Sequence, residues 1–250
     1  MSESGRRLAR WCAGALLVMT IALWQWGGTA HALRPSTVAG TLRADRTLLT
    51  EATLATLRST GLGLLAGCAI GVAAAWAAYL LPPVRALVNR TLLVGYVLPL
   101  VGVGPLLALV LDRNIVPVVS ATVGVTFPVF ATTHSGLLRE PVSFKALLAV
   151  HGARRTRRLR LVTLPYSVPF VLDATRLAVP TALLGALIGE WFGADKGLGV
   201  LLASGMRDSQ DDLVMADTVL VVAVSLAGYG LVSHLARAVD RRRGLTGGPA

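Results

Sequence analysis

The feature that most constrains this chain is the recurrence, along nearly its whole length, of apolar stretches long enough to cross a bilayer. A spanning helix needs about 20 predominantly apolar residues. Six stretches meet that requirement: Trp11–Gly28, Thr53–Leu80, Leu92–Leu111, Ile115–Leu137, Leu161–Gly189 and Leu213–Ala236. Within hydrocarbon every backbone N–H and C=O must find its partner inside the protein, so runs of this length fold as helices. The expected fold class is therefore all-α, a polytopic membrane protein with about six transmembrane helices. Composition agrees: 54% of the residues are hydrophobic and only 15% are charged, against about 45–50% and about 25% in soluble domains.

Many of these stretches carry glycine and proline, as in Pro99, Gly102, Gly104 and Pro105 of the third. Such residues break helices in water, but in a packed bundle neighbouring helices satisfy the freed backbone groups. Gly61, Gly63, Gly67 and Gly71 of the second stretch are read as packing positions where backbones approach closely. Cys12 and Cys68 both fall in apolar segments and behave as small buried hydrophobes rather than a disulfide or metal pair.

The net charge of +11 raises the question of nucleic acid, and the distribution answers it. The arginines sit in short clusters between apolar runs, which in a membrane protein mark the cytoplasmic side. One side collects sixteen cations, among them Arg6, Arg7, Arg10, Arg85, Arg90, Arg139, the 154–160 cluster and Arg237; the other collects Arg34, Arg43, Arg46, Arg113, Lys196 and Arg207. Six spans then put both termini in the cytoplasm. The first span, followed by Trp24-Gln25-Trp26, reads as a retained anchor with an interfacial aromatic belt rather than a cleaved signal. No nucleic acid partner is expected.

Three regions follow. Residues 1–50 form an N-terminal cytoplasmic segment, the first transmembrane helix and a polar outer linker. Residues 51–240 form a five-helix core that includes a cytoplasmic loop at 139–160. Residues 241–250, basic and then rich in Gly and Pro, form a disordered tail.

The sequence lacks a G-x-x-x-x-G-K-[ST] phosphate loop, so the chain should not hydrolyse ATP. H-E-x-x-H and G-x-S-x-G are also missing, and His31, His134, His151 and His234 are scattered. An enzyme, intramembrane or otherwise, has no nucleophile–base pair or ligand set to rest on, and no metal site is expected.

The loop between the fourth and fifth stretches is the most informative. Residues from Phe144 and Lys145 through Ala146, Leu147 and Leu148 to Val150 suggest a short amphiphilic helix. His151 and Gly152 then make a turn, and Arg154, Arg155, Arg157, Arg158 and Arg160 form a basic strip leading back to the bilayer. Charge alone fits anchoring to anionic headgroups. The spacing adds more: Gly152, then Leu164-Pro165, Pro169 and Arg176, with Ile188-Gly-Glu190-Trp191-Phe and Gly197-Leu-Gly199 beyond. Over roughly residues 50–240 this pattern resembles the binding-protein-dependent ABC importer permeases, the inner-membrane components, and within them the nitrate, sulfonate and taurine-type branch.

The resemblance implies a type I ABC importer permease-like fold and a loop that docks on a separate ATPase. The ATPase-coupling residues would be Phe144, Lys145, Ala146, Leu147, Leu148, His151, Gly152, Arg154, Arg155 and Pro165. It implies no cofactor bound by this chain, ATP being used by the ATPase subunits. It also implies an extracytoplasmic solute-binding protein, a second permease subunit in a homodimer, and residence in a bacterial cell membrane. The family's loop glutamate is replaced here by Ala146, which removes a polar docking contact.

Four further residues are candidates for the translocation pathway or its gate. Asp173 and Arg176 stand three apart on one helix and so share a face; they either line the pathway or form a neutralised structural pair. Glu190 and Trp191, at the far end of that helix, belong to an outer gate or to the surface that receives a solute-binding protein, or Glu190 merely snorkels into the outer interface. The segment Ala194–Asp212, with three glycines and four aspartates, faces outward and either contacts a solute-binding protein or is a solvated loop. The rival reading is a stand-alone secondary transporter or channel, which would need an ion relay of which only Asp173 and Arg176 lie at depth.

Overall fold

The computed structural model describes residues 34–139 and 163–242. Eight helices are found there: α1 Pro35–Ala44, α2 Arg46–Leu80, α3 Pro82–Val97, α4 Leu100–Val110, α5 Val116–Leu138, α6 Leu164–Gly193, α7 Leu198–Arg207 and α8 Asp211–Arg242. No strand occurs among the described residues. The first expected span, Trp11–Gly28, lies outside the described residues, as do nearly all of the 139–160 loop and residues 243–250 of the tail.

Among the described residues, four helices are long and apolar enough to cross a membrane: α2, α5, α6 and α8. They correspond to the second, fourth, fifth and sixth expected spans. The third differs. Leu92–Leu111 is not one straight helix, because α3 and α4 meet at an angle of 94°. Leu98 adopts an extended backbone, with ψ of 125°, the conformation favoured for a residue that precedes proline. The break therefore falls at Leu98-Pro99. Two other expectations change as well. The 32–53 linker is largely helical, carrying α1 and the first turns of α2, and the 194–212 segment contains the ten-residue α7.

The core is a slab in which α5 lies between α2 and α6. On α2 the buried positions are Leu49, Ala52, Thr56, Thr60, Gly63, Gly67, Gly71, Ala75 and Ala78, a stripe that keeps the 3.6-residue helical period from end to end. Small residues along it let the backbones approach. A Cβ added at Gly67 would stand 2.7 Å from the Val125 side chain, and one at Gly71 would stand 2.7 Å from the Thr126 carbonyl oxygen. The other flank of α5 meets Gly185, Gly189 and Gly193 of α6, where a Cβ at Gly185 would lie 2.7 Å from Ala121 Cα. Two small-x-x-x-small ridges thus clamp one helix from both sides, a packing solution suited to lipid, where apolar burial alone drives little association. Gly61 takes no part: nothing lies within 4 Å of where its Cβ would be.

The contacts give the strand-like sense of each pass. Residues 63, 67 and 71 of α2 meet successively later residues of α5, so these two helices run parallel. Residues 185, 189 and 193 of α6 meet successively earlier ones, so α6 runs antiparallel to α5. One end of the bundle gathers the start of α2, the start of α5, the end of α6, α7 and the start of α8. The other gathers the end of α2, the start of α3 and the end of α5. There Tyr166 donates a hydrogen bond to the Arg139 carbonyl oxygen at 3.1 Å, tying α6 to α5.

Candidate functional site

Glu190 and Trp191 are neighbours in sequence and part company in space. Glu190 is 1% exposed, so it does not snorkel into an interface. Trp191 is exposed and stacks on Phe192 at an interplanar angle of 17°. The buried carboxylate is held by α2 and α7. Thr56 Oγ1 donates to Glu190 Oε2 at 2.9 Å, and the Gly199 N–H donates to the same oxygen at 2.9 Å. Thr56 Oγ1 in turn accepts the Leu198 N–H at 2.9 Å.

The logic is that of a helix cap supplied from a distance. The first N–H groups of a helix have no partner within it. Gly197, at the N-cap of α7, has no side chain to offer. Glu190 and Thr56 provide the acceptors instead, and a carboxylate at a helix N-terminus is further favoured by the helix dipole. Gly197 has φ of 147°, a conformation glycine adopts without cost, and a Cβ there would run into the Glu190 carboxyl group. The Gly-Leu-Gly turn is thus shaped around the glutamate.

A second carboxyl lies within electrostatic range of Glu190: Asp217 on α8, itself fully buried. Glu190 Oε1 and both Asp217 oxygens have no hydrogen-bond partner among the described residues. Outside this cluster two exposed ion pairs pin the same turn, Lys196 Nζ to Glu51 Oε2 at 3.0 Å and Arg113 Nη1 to Asp195 Oδ1 at 3.0 Å. Exposed pairs of this kind are each worth no more than about 1 kcal/mol. They fix geometry more than they add stability.

The expected pairing of Asp173 with Arg176 is present, Arg176 Nη1 donating to Asp173 Oδ1 at 2.7 Å. Asp173 is the more open partner, with 55% of its side chain exposed against 21% for Arg176. It belongs to an open face of α6 that continues through Leu177, Pro180, Leu184 and Trp191. Asp173 lies about 14 Å along α6 from its start, at 1.5 Å per residue. The pair and the Glu190 cluster are therefore separate features of one helix. Pro165 sits in the first turn of α6. The remaining ATPase-coupling candidates, Phe144, Lys145, Ala146, Leu147, Leu148, His151, Gly152, Arg154 and Arg155, lie outside the described residues. No group of three or more metal-ligating side chains occurs among the described residues.

Thr56 and Asp217 were not singled out by the sequence. Thr56 carried a faint signal, since it falls on the 3.6-residue stripe of small residues along α2. Asp217 carried none, standing alone in an apolar run.

The outer-helix architecture and this junction can be set beside known proteins. Residues 67–244 match the family described as binding-protein-dependent transport system inner membrane component. The chain belongs to that family. It is a multi-pass membrane permease of the ABC importers and not an enzyme. Among curated relatives, an ABC transporter permease protein of Haemophilus influenzae is 30% identical over 229 residues, covering 88% of this chain and 94% of the relative. The formylaminopyrimidine transport permease protein ThiX of Halalkalibacterium halodurans is 26% identical, covering 72% and 73%. An aliphatic sulfonates transport permease protein of Bacillus subtilis, SsuC, is 26% identical, covering 94% and 89%. Among solved structures, an inward-facing conformation of the MetNI methionine ABC transporter aligns with a TM-score of 0.69 at 18% identity, covering 78% of this permease and 98% of that chain. That likeness bears on the fold: a type I ABC importer permease.

Proposed function

We propose that this permease forms one half of the pathway of an ATP-driven importer, paired with a second copy of itself, served by a solute-binding protein outside and driven by separate ATPase subunits inside. ATP is bound and used by those ATPase subunits, and this chain binds no cofactor. Both termini face the cytoplasm, so the Glu190 junction lies at the outer end of the bundle and the α2–α3 turn at the inner end. The chain divides into an anchor and linker (1–50), a permease core (51–240) and a tail (241–250).

The observation that carries this reading is the Asp173–Arg176 pair on the open face of α6, about 14 Å in from the start of that 30-residue helix. Ionisable groups at such depth are too costly to face lipid. That face is therefore assigned to water or to the second subunit, and the pair braces or lines the pathway. Glu190 and Trp191 belong to the outer gate, Glu190 by fixing α7 and Trp191 by facing outward.

Force is transmitted through the 139–160 loop, whose Phe144, Lys145, Ala146, Leu147, Leu148 and Gly152 dock on the ATPase. Ala146, in place of the family's glutamate, leaves docking to shape and to Arg154 and Arg155. The solute is a small polar organic molecule. Similarity to SsuC makes an aliphatic sulfonate, of the nitrate, sulfonate and taurine type, the first to assay, and similarity to ThiX makes a formylaminopyrimidine the second.

The test is uptake into liposomes containing the permease with and without the ATPase encoded beside it. Uptake is expected only with the ATPase and ATP, and Gly152→Trp should abolish it while leaving the permease folded. Full uptake by the permease alone would overturn the reading in favour of a stand-alone secondary transporter or channel.

A further inference from the structure

The end of the bundle opposite the Glu190 junction holds a cavity of 390 Å³ between the start of α3 and the end of α5. Arg85 and Asn89 line it from α3, and Phe130, His134, Ser135 and Leu138 line it from α5. Arg85 and Asn89 are four apart on a helix, so both project to one side. His134 is 7% exposed, stacks on Phe130 at 5.5 Å and 18°, and its Nε2 has no hydrogen-bond partner among the described residues. Arg85 lies within Coulombic range of it. An adjoining cavity of 320 Å³ shares Ala131 and Ser135 and extends the groove to Arg139 and Phe170. Among the described residues, no carboxylate lines either cavity.

We infer that this groove seats the phosphate-bearing headgroup of an anionic phospholipid. Three observations converge. Among the described residues the charge is one-signed, Arg85 at one end and Arg139 at the other, with Asn89, Ser135 and His134 as further hydrogen-bonding groups. The level is that of helix ends, at the α2–α3 turn and the last turns of α5, where headgroups lie, and basic pockets between spanning helices are suited to such headgroups. Leu138, which lines the larger cavity, is itself exposed, so the opening has an apolar edge along which acyl chains leave into hydrocarbon. At about 30 Å³ per water, the larger cavity has room for a phosphodiester and its glycerol. The site does not depend on which solute the permease moves.

The test uses the purified full-length chain in detergent, with its unfolding midpoint followed as phosphatidylglycerol, phosphatidylcholine or inorganic phosphate is added. Phosphatidylglycerol should raise the midpoint well above the effect of phosphatidylcholine. Arg85→Gln should require roughly five-fold more phosphatidylglycerol for the same rise, one basic residue's share of headgroup attraction. Ser135→Trp, which fills the cavity from an exposed position, should remove the selectivity. Arg43→Gln, on an exposed residue of α1, should leave it intact. Equal stabilisation by the two lipids, or an unchanged response in both Arg85→Gln and Ser135→Trp, would overturn the assignment. So would full reproduction of the effect by inorganic phosphate, which would make the groove a site for a free anion.

Discussion

The hydroxyl of Thr56 and the carboxylate of Glu190 meet at 2.9 Å although 134 positions separate them in the chain. Through that contact α2 is fastened to the end of α6, and through Leu198 and Gly199 both are fastened to the start of α7. Thr56→Val removes one donor and one acceptor at a stroke. It should lower stability by about 2 kcal/mol, the cost of leaving buried partners unsatisfied, and Thr56→Ser should restore most of it. Thermal unfolding of the purified permease checks this; equal midpoints for wild type and Thr56→Val would refute the cap.

Gly197 is expected to be among the least tolerant positions at the Glu190 end of the bundle. Its φ of 147° is strained for any side chain, at about 1–3 kcal/mol, and a methyl group there meets the Glu190 carboxyl. Gly197→Ala should lower the midpoint more than Gly95→Ala, where the space around the Cβ is open. The comparison is a pair of melting curves, and matching curves would count against the cradle.

The two buried carboxyls should respond in opposite directions to neutralisation. Glu190 Oε2 accepts two hydrogen bonds, so Glu190→Gln weakens a charge-assisted cap and lowers stability. Asp217 has no partner among the described residues, so Asp217→Asn breaks no hydrogen bond and should leave stability equal or slightly higher. Denaturation of both variants side by side measures the asymmetry. A drop in Asp217→Asn as large as that in Glu190→Gln would mean Asp217 has a partner of its own.

The glycine ridges yield the largest expected losses. Gly67→Val and Gly185→Val each force α5 away from a neighbouring backbone and should cost about 3 kcal/mol or more, seen as a loss of monodisperse protein on size exclusion. Gly61→Ala should fall within about 0.5 kcal/mol of wild type, because its surroundings are open. If Gly61→Ala proves as damaging as Gly67→Val, the close approach of α2 and α5 is wrong.

How much of this was legible beforehand depends on how local each determinant is. The spans α2, α5, α6 and α8 were readable because length and apolarity are properties of a continuous run. The break at Leu98-Pro99 was not, since Pro105, Pro128, Pro169 and Pro180 all lie within unbroken helices. Whether a proline bends a helix in lipid depends on what its neighbours do with the freed carbonyl, which no single run records. Glu190 and the Gly197–Gly199 turn were visible as a pattern, and their joint purpose was not. The partners that give it, Thr56 and Asp217, come from helices far away in sequence. Helix α7 was hidden by its two glycines, the Gly197 before it and the flanking aspartates, which read as loop until Thr56 and Glu190 are found capping it.

The double clamp on α5 has a mechanical corollary. A rod gripped by glycine ridges along both flanks can neither roll nor slip past its neighbours without driving backbone into backbone. The trio of α2, α5 and α6 must travel as a chassis, and any alternation of access has to be articulated elsewhere: at the right-angled elbow between α3 and α4, along the loosely held α8, or at the seam with another subunit.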